Sequence, residues 1–440
     1  MIKTYDFNAH SFELPIKRSK TVNCKVWEAK KQSPSVAVIE YDLGKNSNEQ
    51  KIQELANHIV NIHNLSVVVI EYTETEIKYS PDLLNRLEAY LPGYLLKVSP
   101  YLSKRHQELI LHGSYQEVIN DLQYNAYTRI PVNQETIISL YGDKDSYTDF
   151  GIVASLDIIY CLKQLKTLYP KWQWNDCVGL GSGYGAYILQ LAERFLPNTF
   201  SMIIAKNSIT KPTAQDLFTN RTELENGKHK FIYRKGIGKF PLYLNEVQGW
   251  TTDASHPYFF EHRHFDIRNL ENDLLLQKGN KKTPIIYIEE ISEGIEKKIN
   301  FVEKMIKNNY QVGLLVADQD EVDNKTIVRE NGKITVKFKG IIDHYFSSDY
   351  KRNLNYIDSN SITILPVYNG VYVLNYIPAM PEFFFIPSNK SLTKENELDF
   401  LVEHFPNNIN QFSDKVIIEL LEYIKNPVLN QDNNYIHLIS

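Results

Sequence analysis

One stretch limits the architecture more than any other. Cys177-Val178-Gly179-Leu180-Gly181-Ser182-Gly183-Tyr184-Gly185-Ala186-Tyr187 runs from a short apolar segment through a glycine-packed turn into a helical pattern. Ile188, Leu191, Ala192 and Phe195 then recur at helical spacing as far as Pro197. A strand that feeds a helix through so few residues brings the two backbones close together. Glycine permits that approach, because it has no Cβ and tolerates positive φ. The stretch therefore reads as a buried strand, a strained turn and a helix packed back onto a sheet.

A turn of this kind carries the nucleophile of α/β-hydrolases, written G-x-S-x-G. Two registers are open. Gly181-Ser182-Gly183-Tyr184-Gly185 puts glycines at both flanks, but its centre is Gly183, which has no side chain to attack with. A register centred on Ser182 needs glycines where Leu180 and Tyr184 stand. The scaffold is that of a serine hydrolase with the serine one residue out of place.

The surrounding pattern fits an α/β class with a mostly parallel sheet. Val36 to Tyr41 is a continuous apolar run, Asn46 to Asn64 is amphipathic at helical spacing, and Leu65 to Tyr72 is the next apolar run. The segment from about 73 to 147 loses this alternation and reads as a mostly helical insertion. Asp149 to Leu168 is a helix that delivers the chain to the glycine turn, and Phe200 to Ala205 is a further strand. A second insertion is read from about 207 to 282, as a lid carrying Trp250 to Asp253 and Ser255 to Phe260. The strand-helix-strand pattern resumes with Pro284 to Ile288, Ile295 to Asn308 and Gln311 to Ala317. The domain division is 1–340 for an α/β-hydrolase-like domain with its two insertions, and 341–440 for a C-terminal extension.

A hydrolase on this scaffold needs a nucleophile, an acid and a histidine in that chain order. The acid belongs after Ile288, where Glu289-Glu290-Ile291-Ser292-Glu293-Gly294 offers carboxylates, Glu293 the best placed. An acidic loop ahead of a helix is also what the helix dipole favours. The histidine belongs after Ala317, in Asp318 to Lys325 and on to Glu330-Asn331-Gly332, and none is there; the next is His344. The early loop that would carry oxyanion-binding amides, Tyr41-Asp42-Leu43-Gly44-Lys45, has a single glycine. Losses at three separate places argue that the chemistry has gone and the fold remains. The remaining way to an active enzyme is Ser182 as a displaced nucleophile with Glu293 and either His256 or His344.

Other chemistry is weak. His256, His262 and His264 could supply a metal pair, but a polar lid segment accounts for them as well. The acidic run Asp318 to Asp323 lacks the glycine and terminal glutamate of a calcium loop. Gly179-x-Gly181-x-x-Tyr184 lacks the third glycine of a dinucleotide fingerprint. No metal and no cofactor are expected. A formal net charge of -5 with short, scattered basic clusters argues against a nucleic-acid surface. Cys24, Cys161 and Cys177 sit among apolar neighbours and read as buried thiols. No apolar run reaches the length of a membrane span and the start lacks the apolar core of a signal peptide, so a cytoplasmic protein is expected.

The chain resembles a family catalogued as domain of unknown function 2920, α/β-hydrolase-like proteins encoded near bacterial flagellin-glycosylation loci. The resemblance rests on Phe12 to Arg18, Asp149 to Asp157, Gly181 to Pro197, Asn207-Ser208, Trp250 to Asp253, Ser255 to Phe260, and Asp318 to Lys325 running into Gly332. It implies a serine at the position of Gly183, a histidine at that of Asn331 and a glycine-rich early loop, so this chain departs from the family where chemistry is expected. The function expected is a catalytically silent α/β-hydrolase-like protein that binds a small-molecule or glycan-type ligand, or a protein partner, in surface-glycan or flagellin modification. Two alternatives stand beside it: an esterase or acyltransferase on acylated nonulosonic-type sugars, and an interaction protein with a vestigial pocket.

Overall fold

Runs of β-branched residues alternating with amphipathic helices set the architecture. A computed structural model of the protein describes residues 2–8, 21–40, 49–71, 92–93, 95–96, 99–115, 117–118, 121, 136–141, 150–212, 242–247, 261–291, 294–317, 326–330, 333–347, 362–377, 381–405 and 412–426. The strands are β1 (Ile2–Asn8), β2 (Thr21–Trp27), β3 (Ser35–Glu40), β4 (Ser66–Glu71), β5 (Thr136–Tyr141), β6 (Gln173–Ser182), β7 (Met202–Lys206), β8 (Leu242–Val247), β9 (Ile285–Glu290), β10 (Val312–Ala317), β11 (Ile327–Glu330), β12 (Lys333–Val336), β13 (Ile362–Val367), β14 (Gly370–Asn375) and β15 (Glu382–Pro387). The helices are α1 (Glu49–His58), α2 (Lys104–Leu111), α3 (Ile152–Leu168), α4 (Tyr184–Phe195), α5 (His262–Arg268), α6 (Asp273–Lys278), α7 (Ile295–Lys307), α8 (Phe338–Ser347), α9 (Glu397–His404) and α10 (Asp414–Lys425).

Eight strands form one sheet in the order β1-β2-β4-β3-β6-β7-β9-β10. The β1/β2 and β2/β4 pairs are antiparallel, and every pair from β4 to β10 is parallel. An antiparallel second strand, a swap between the third and fourth, and a parallel run outward from the strand that ends in the glycine turn define the α/β-hydrolase fold. Ala37, Ile39, Val67, Val69, Val178, Leu180, Ile204 and Ile288 line one face and join Leu55 and Ala56 of α1 with Ile341 and Ile342 of α8. Tyr287 lies on the opposite face, against Phe301 of α7. Helices α3 and α4 are buried along most of their length. Among the described residues, no helix is long and apolar enough to cross a membrane. Cys24, Cys161 and Cys177 are free and buried, as their apolar neighbours predict.

The chain divides into two compact units, residues 1–75, 150–212 and 261–440 in one and 76–149 and 213–260 in the other. In the second unit β5 and β8 pair in parallel, from Thr136 opposite Leu242 to Tyr141 opposite Val247. The two inserted segments, read from the sequence as separate and the first as mostly helical, thus share one strand ladder. Residues 261–278 were expected to continue the lid, but α5 and α6 belong to the larger unit. The Tyr187 hydroxyl donates to the Arg268 carbonyl at 2.7 Å, and Arg194 donates to the Asn269 and Leu270 carbonyls, both at 2.8 Å. Toward the C-terminus β13, β14 and β15 form an antiparallel meander. Its Val371, Val373 and Ile386 share a core with Leu401 of α9 and with Leu420 and Ile424 of α10.

Candidate functional site

The glycine turn joins β6 to α4 with Gly183 as the single linking residue. Gly183 is buried, with φ 55° and ψ -118°. That is the strained backbone of a nucleophile elbow, and it is costly for any residue with a Cβ. Gly181 answers a different demand. A Cβ on it would lie 2.4 Å from the Ala186 Cα, so strand and helix could not approach as they do. The Gly183 N–H donates to the Lys206 carbonyl at 2.8 Å, tying the apex to the end of β7. The amides of the first turn of α4 have no acceptor within the helix and stand at the positive end of its dipole.

The ends of β7 and β9 hold a pair of charges beside this turn. Lys206 Nζ lies 3.1 Å from Glu290 Oε1 and donates to the Val336 carbonyl at 2.7 Å. The Glu290 carboxylate also accepts the Val336 N–H at 3.1 Å. Glu290 closes β9, just ahead of the loop where a hydrolase keeps its acid, and its partners are a lysine and a backbone amide. The sequence reading missed this pair; its one local trace is a lysine closing the apolar strand Met202 to Ala205, where a charge needs a counter-ion that the sequence does not name.

Behind the turn a buried polar network fixes the loops that follow β7 and β9. The Gln190 amide donates to Ser208 Oγ at 2.8 Å, and Tyr287 OH donates to Gln190 Oε1. Lys298 Nζ donates to the Ser208 carbonyl and lies 3.1 Å from Glu289 Oε1. Burial pushes Glu289 up and Lys298 down, so each needs the other to stay charged.

Glu40 is the last residue of β3 and lies opposite Gly181 in the register of β3 and β6. It is buried, and burial holds its carboxyl well above the usual 4.5. Among the described residues its Oε1 has no hydrogen-bond partner. Sequence reasoning passed over it as part of a buried strand; the signal was an acid closing the apolar run Val36 to Ile39.

The structure places the sequence-derived candidates as follows. Gly181, Ser182, Gly183, Tyr184 and Gly185 form the elbow, with Ser182 half-buried at the end of β6. Glu293, His256 and Asn331 lie outside the described residues, as do the Trp250 to Phe260 segment and the early loop after Glu40. His344 is on helix α8, its ring edge-on to Tyr345 at 5.1 Å, and the structure does not bring it into hydrogen-bond contact with Ser182. His264, expected in an exposed polar segment, is instead buried in α5. Its Nδ1 accepts the Glu261 N–H at 3.0 Å as a helix cap, and burial together with Arg268 and Arg263 keeps the ring neutral.

Solved structures similar to this chain are α/β-hydrolases at low identity. Acylaminoacyl peptidase of Pyrococcus horikoshii is 10% identical over 81% of this chain and 42% of its own, with a TM-score of 0.41. A thermostable carboxyl esterase of Bacillus coagulans is 11% identical over 72% of this chain and 89% of its own, with a TM-score of 0.39. An S-formylglutathione hydrolase of Agrobacterium tumefaciens is 13% identical over 72% of this chain and 85% of its own, with a TM-score of 0.34. The chain spans less than half the length of the peptidase. Among curated proteins, no sequence matches it. The family model described as "Protein of unknown function (DUF2920)" matches residues 3–375, and the chain belongs to that family.

Proposed function

We propose that this protein is a catalytically silent member of the α/β-hydrolase fold that binds a ligand or partner at the elbow, in the modification of a bacterial surface glycan or of flagellin. The observation that carries this reading is Gly183, which holds the elbow backbone at φ 55° and ψ -118° without a side chain to attack a substrate. The pairing of Glu290 with Lys206 supports it, because one carboxylate of the segment expected to supply the acid is engaged by an ammonium rather than an imidazole. Amides at the start of α4 suit an oxygen of a small-molecule or glycan-type ligand. The glycan setting follows from the family resemblance alone.

The test is labelling with a fluorophosphonate serine-hydrolase probe. The expected outcome is no labelling of wild type, and labelling once the missing groups are restored in a Gly183→Ser, Asn331→His double variant. Wild-type labelling that disappears in Ser182→Ala would make Ser182 a displaced nucleophile and sink the silent reading in favour of an esterase or acyltransferase.

A further inference from the structure

Away from the elbow, ligating side chains converge at the end of α1. Helix α1 runs on into a π turn, Ile59–His63, that closes with Asn64 in the left-handed region at φ 55° and ψ 37°. This turn changes which residues share a face. In a regular α-helix, residues five apart are offset by about 140° around the axis. The π turn's i→i+5 hydrogen bonding brings them back over one another. His58 and His63 are five apart, and their rings meet edge-on at 5.6 Å. Both are largely buried. Their Nε2 atoms converge on one oxygen of Asp343, which helix α8 presents from across the layer: His58 Nε2 lies 2.6 Å and His63 Nε2 2.8 Å from Asp343 Oδ1. The three donor atoms all lie within 4.8 Å of one another.

We propose that His58, His63 and Asp343 form a divalent transition-metal site that takes Zn²⁺, with a solvent ligand in the fourth position. Two imidazoles and one carboxylate are a borderline donor set of the kind zinc accepts. Tetrahedral Zn²⁺ held at about 2.0–2.1 Å from each donor needs donors about 3.3 Å apart. Retreat of the Asp343 carboxylate by about 0.5–0.7 Å opens its two contacts, now 2.6 and 2.8 Å, to that distance, and that side chain is the exposed member of the set. An ion there cross-links α1 to α8, the helix that opens at Phe338, two residues after the Val336 backbone that holds Lys206 and Glu290. The π turn is the local irregularity that the site requires, and such turns are found where helices serve functional groups.

The experiment uses the full, tag-free chain, stripped with a chelator and then titrated with Zn²⁺ by calorimetry and with Co²⁺ by its visible absorption. The expected result is one equivalent per chain, the intense spectrum of four-coordinate Co²⁺, and a rise in thermal midpoint with Zn²⁺. Affinity falls by at least about 100-fold in His63→Gln and in His58→Gln, while the neighbouring His344→Gln binds as wild type. Should either imidazole variant fail to fold, Asp343→Asn, at the exposed corner, supplies the same reading. The proposal is overturned if no equivalent binds, if binding persists in His58→Gln and His63→Gln, or if the melting temperature is indifferent to Zn²⁺. Each of these outcomes would leave a hydrogen-bonded His–Asp–His bridge as the whole role of the cluster.

Discussion

The two edges of the central sheet treat buried acids differently. At the amino edge Glu193 is matched on every side. Its Oε1 accepts from the Asn198 N–H at 2.9 Å and from Asn280 Nδ2 and Thr283 Oγ1, both at 2.8 Å, and its Oε2 accepts from the Phe200 N–H at 3.0 Å. At the carboxyl edge Glu40 has an oxygen with no hydrogen-bond partner among the described residues, and the turn beside it holds Gly183 in a strained backbone. Burial raises both carboxyls. The donors around Glu193 limit the rise to about 7, whereas Glu40 is held well above the usual 4.5. A shifted acid is therefore not in itself the mark of a site. The satisfied one is a fastener. The edge where polar groups and backbone strain are left over is the one at which open α/β sheets receive ligands.

Mutation can sharpen that contrast. The largest effect is expected at the satisfied edge. Glu193→Ala strands four donors in a packed environment and should cost about 4 kcal/mol, read from the denaturant midpoint. A loss near that of a surface substitution would mean the network is not the fastener described. At the elbow, the steric and torsional roles of glycine should separate. Gly181→Ala drives a Cβ to 2.4 Å from the Ala186 Cα and should cost about 3 kcal/mol, because backbone rather than a flexible side chain must yield. Gly183→Ser carries the torsional cost of its positive φ, about 1–3 kcal/mol. If Gly183→Ser proved the more damaging of the two, the apex would have closed over the space where a nucleophile's side chain stands.

How much of this the sequence disclosed follows from where signals are local. The parallel core was legible because Val36 to Ile39, Val67 to Ile70 and Met202 to Ala205 are apolar runs buried on both faces. The elbow was legible because close approach and positive φ both demand glycine within a few residues. The pairing of β5 with β8 was not, since its partners lie about a hundred residues apart and neither strand declares the other. Strand β15 was missed because Phe383-Phe384-Phe385 carries no period-2 alternation. The Lys206–Glu290 pair and the His58–His63–Asp343 cluster are tertiary facts. Spacing even argued against the second, because a regular helix would have turned His58 and His63 apart.

The smallest expected effect bears on Glu40, and it tests the other half of the comparison. The sign follows from the raised pKa. A carboxyl that binds its proton more tightly in the folded chain adds stability below the unfolded value of 4.5, and that contribution is lost as pH rises toward the folded value. Gln has nearly the same shape and does not titrate. Glu40→Gln should therefore be close to neutral at pH 4 and should raise the thermal midpoint relative to wild type at pH 8, with the gap opening steadily between. Glu193→Gln should not share this gain, because its amide N–H₂ would be turned on donors that now face a carboxylate. Should Glu40→Gln instead destabilise the chain at pH 8, Glu40 would have to be ionised and partnered there, and the carboxyl edge would be as well satisfied as the amino edge.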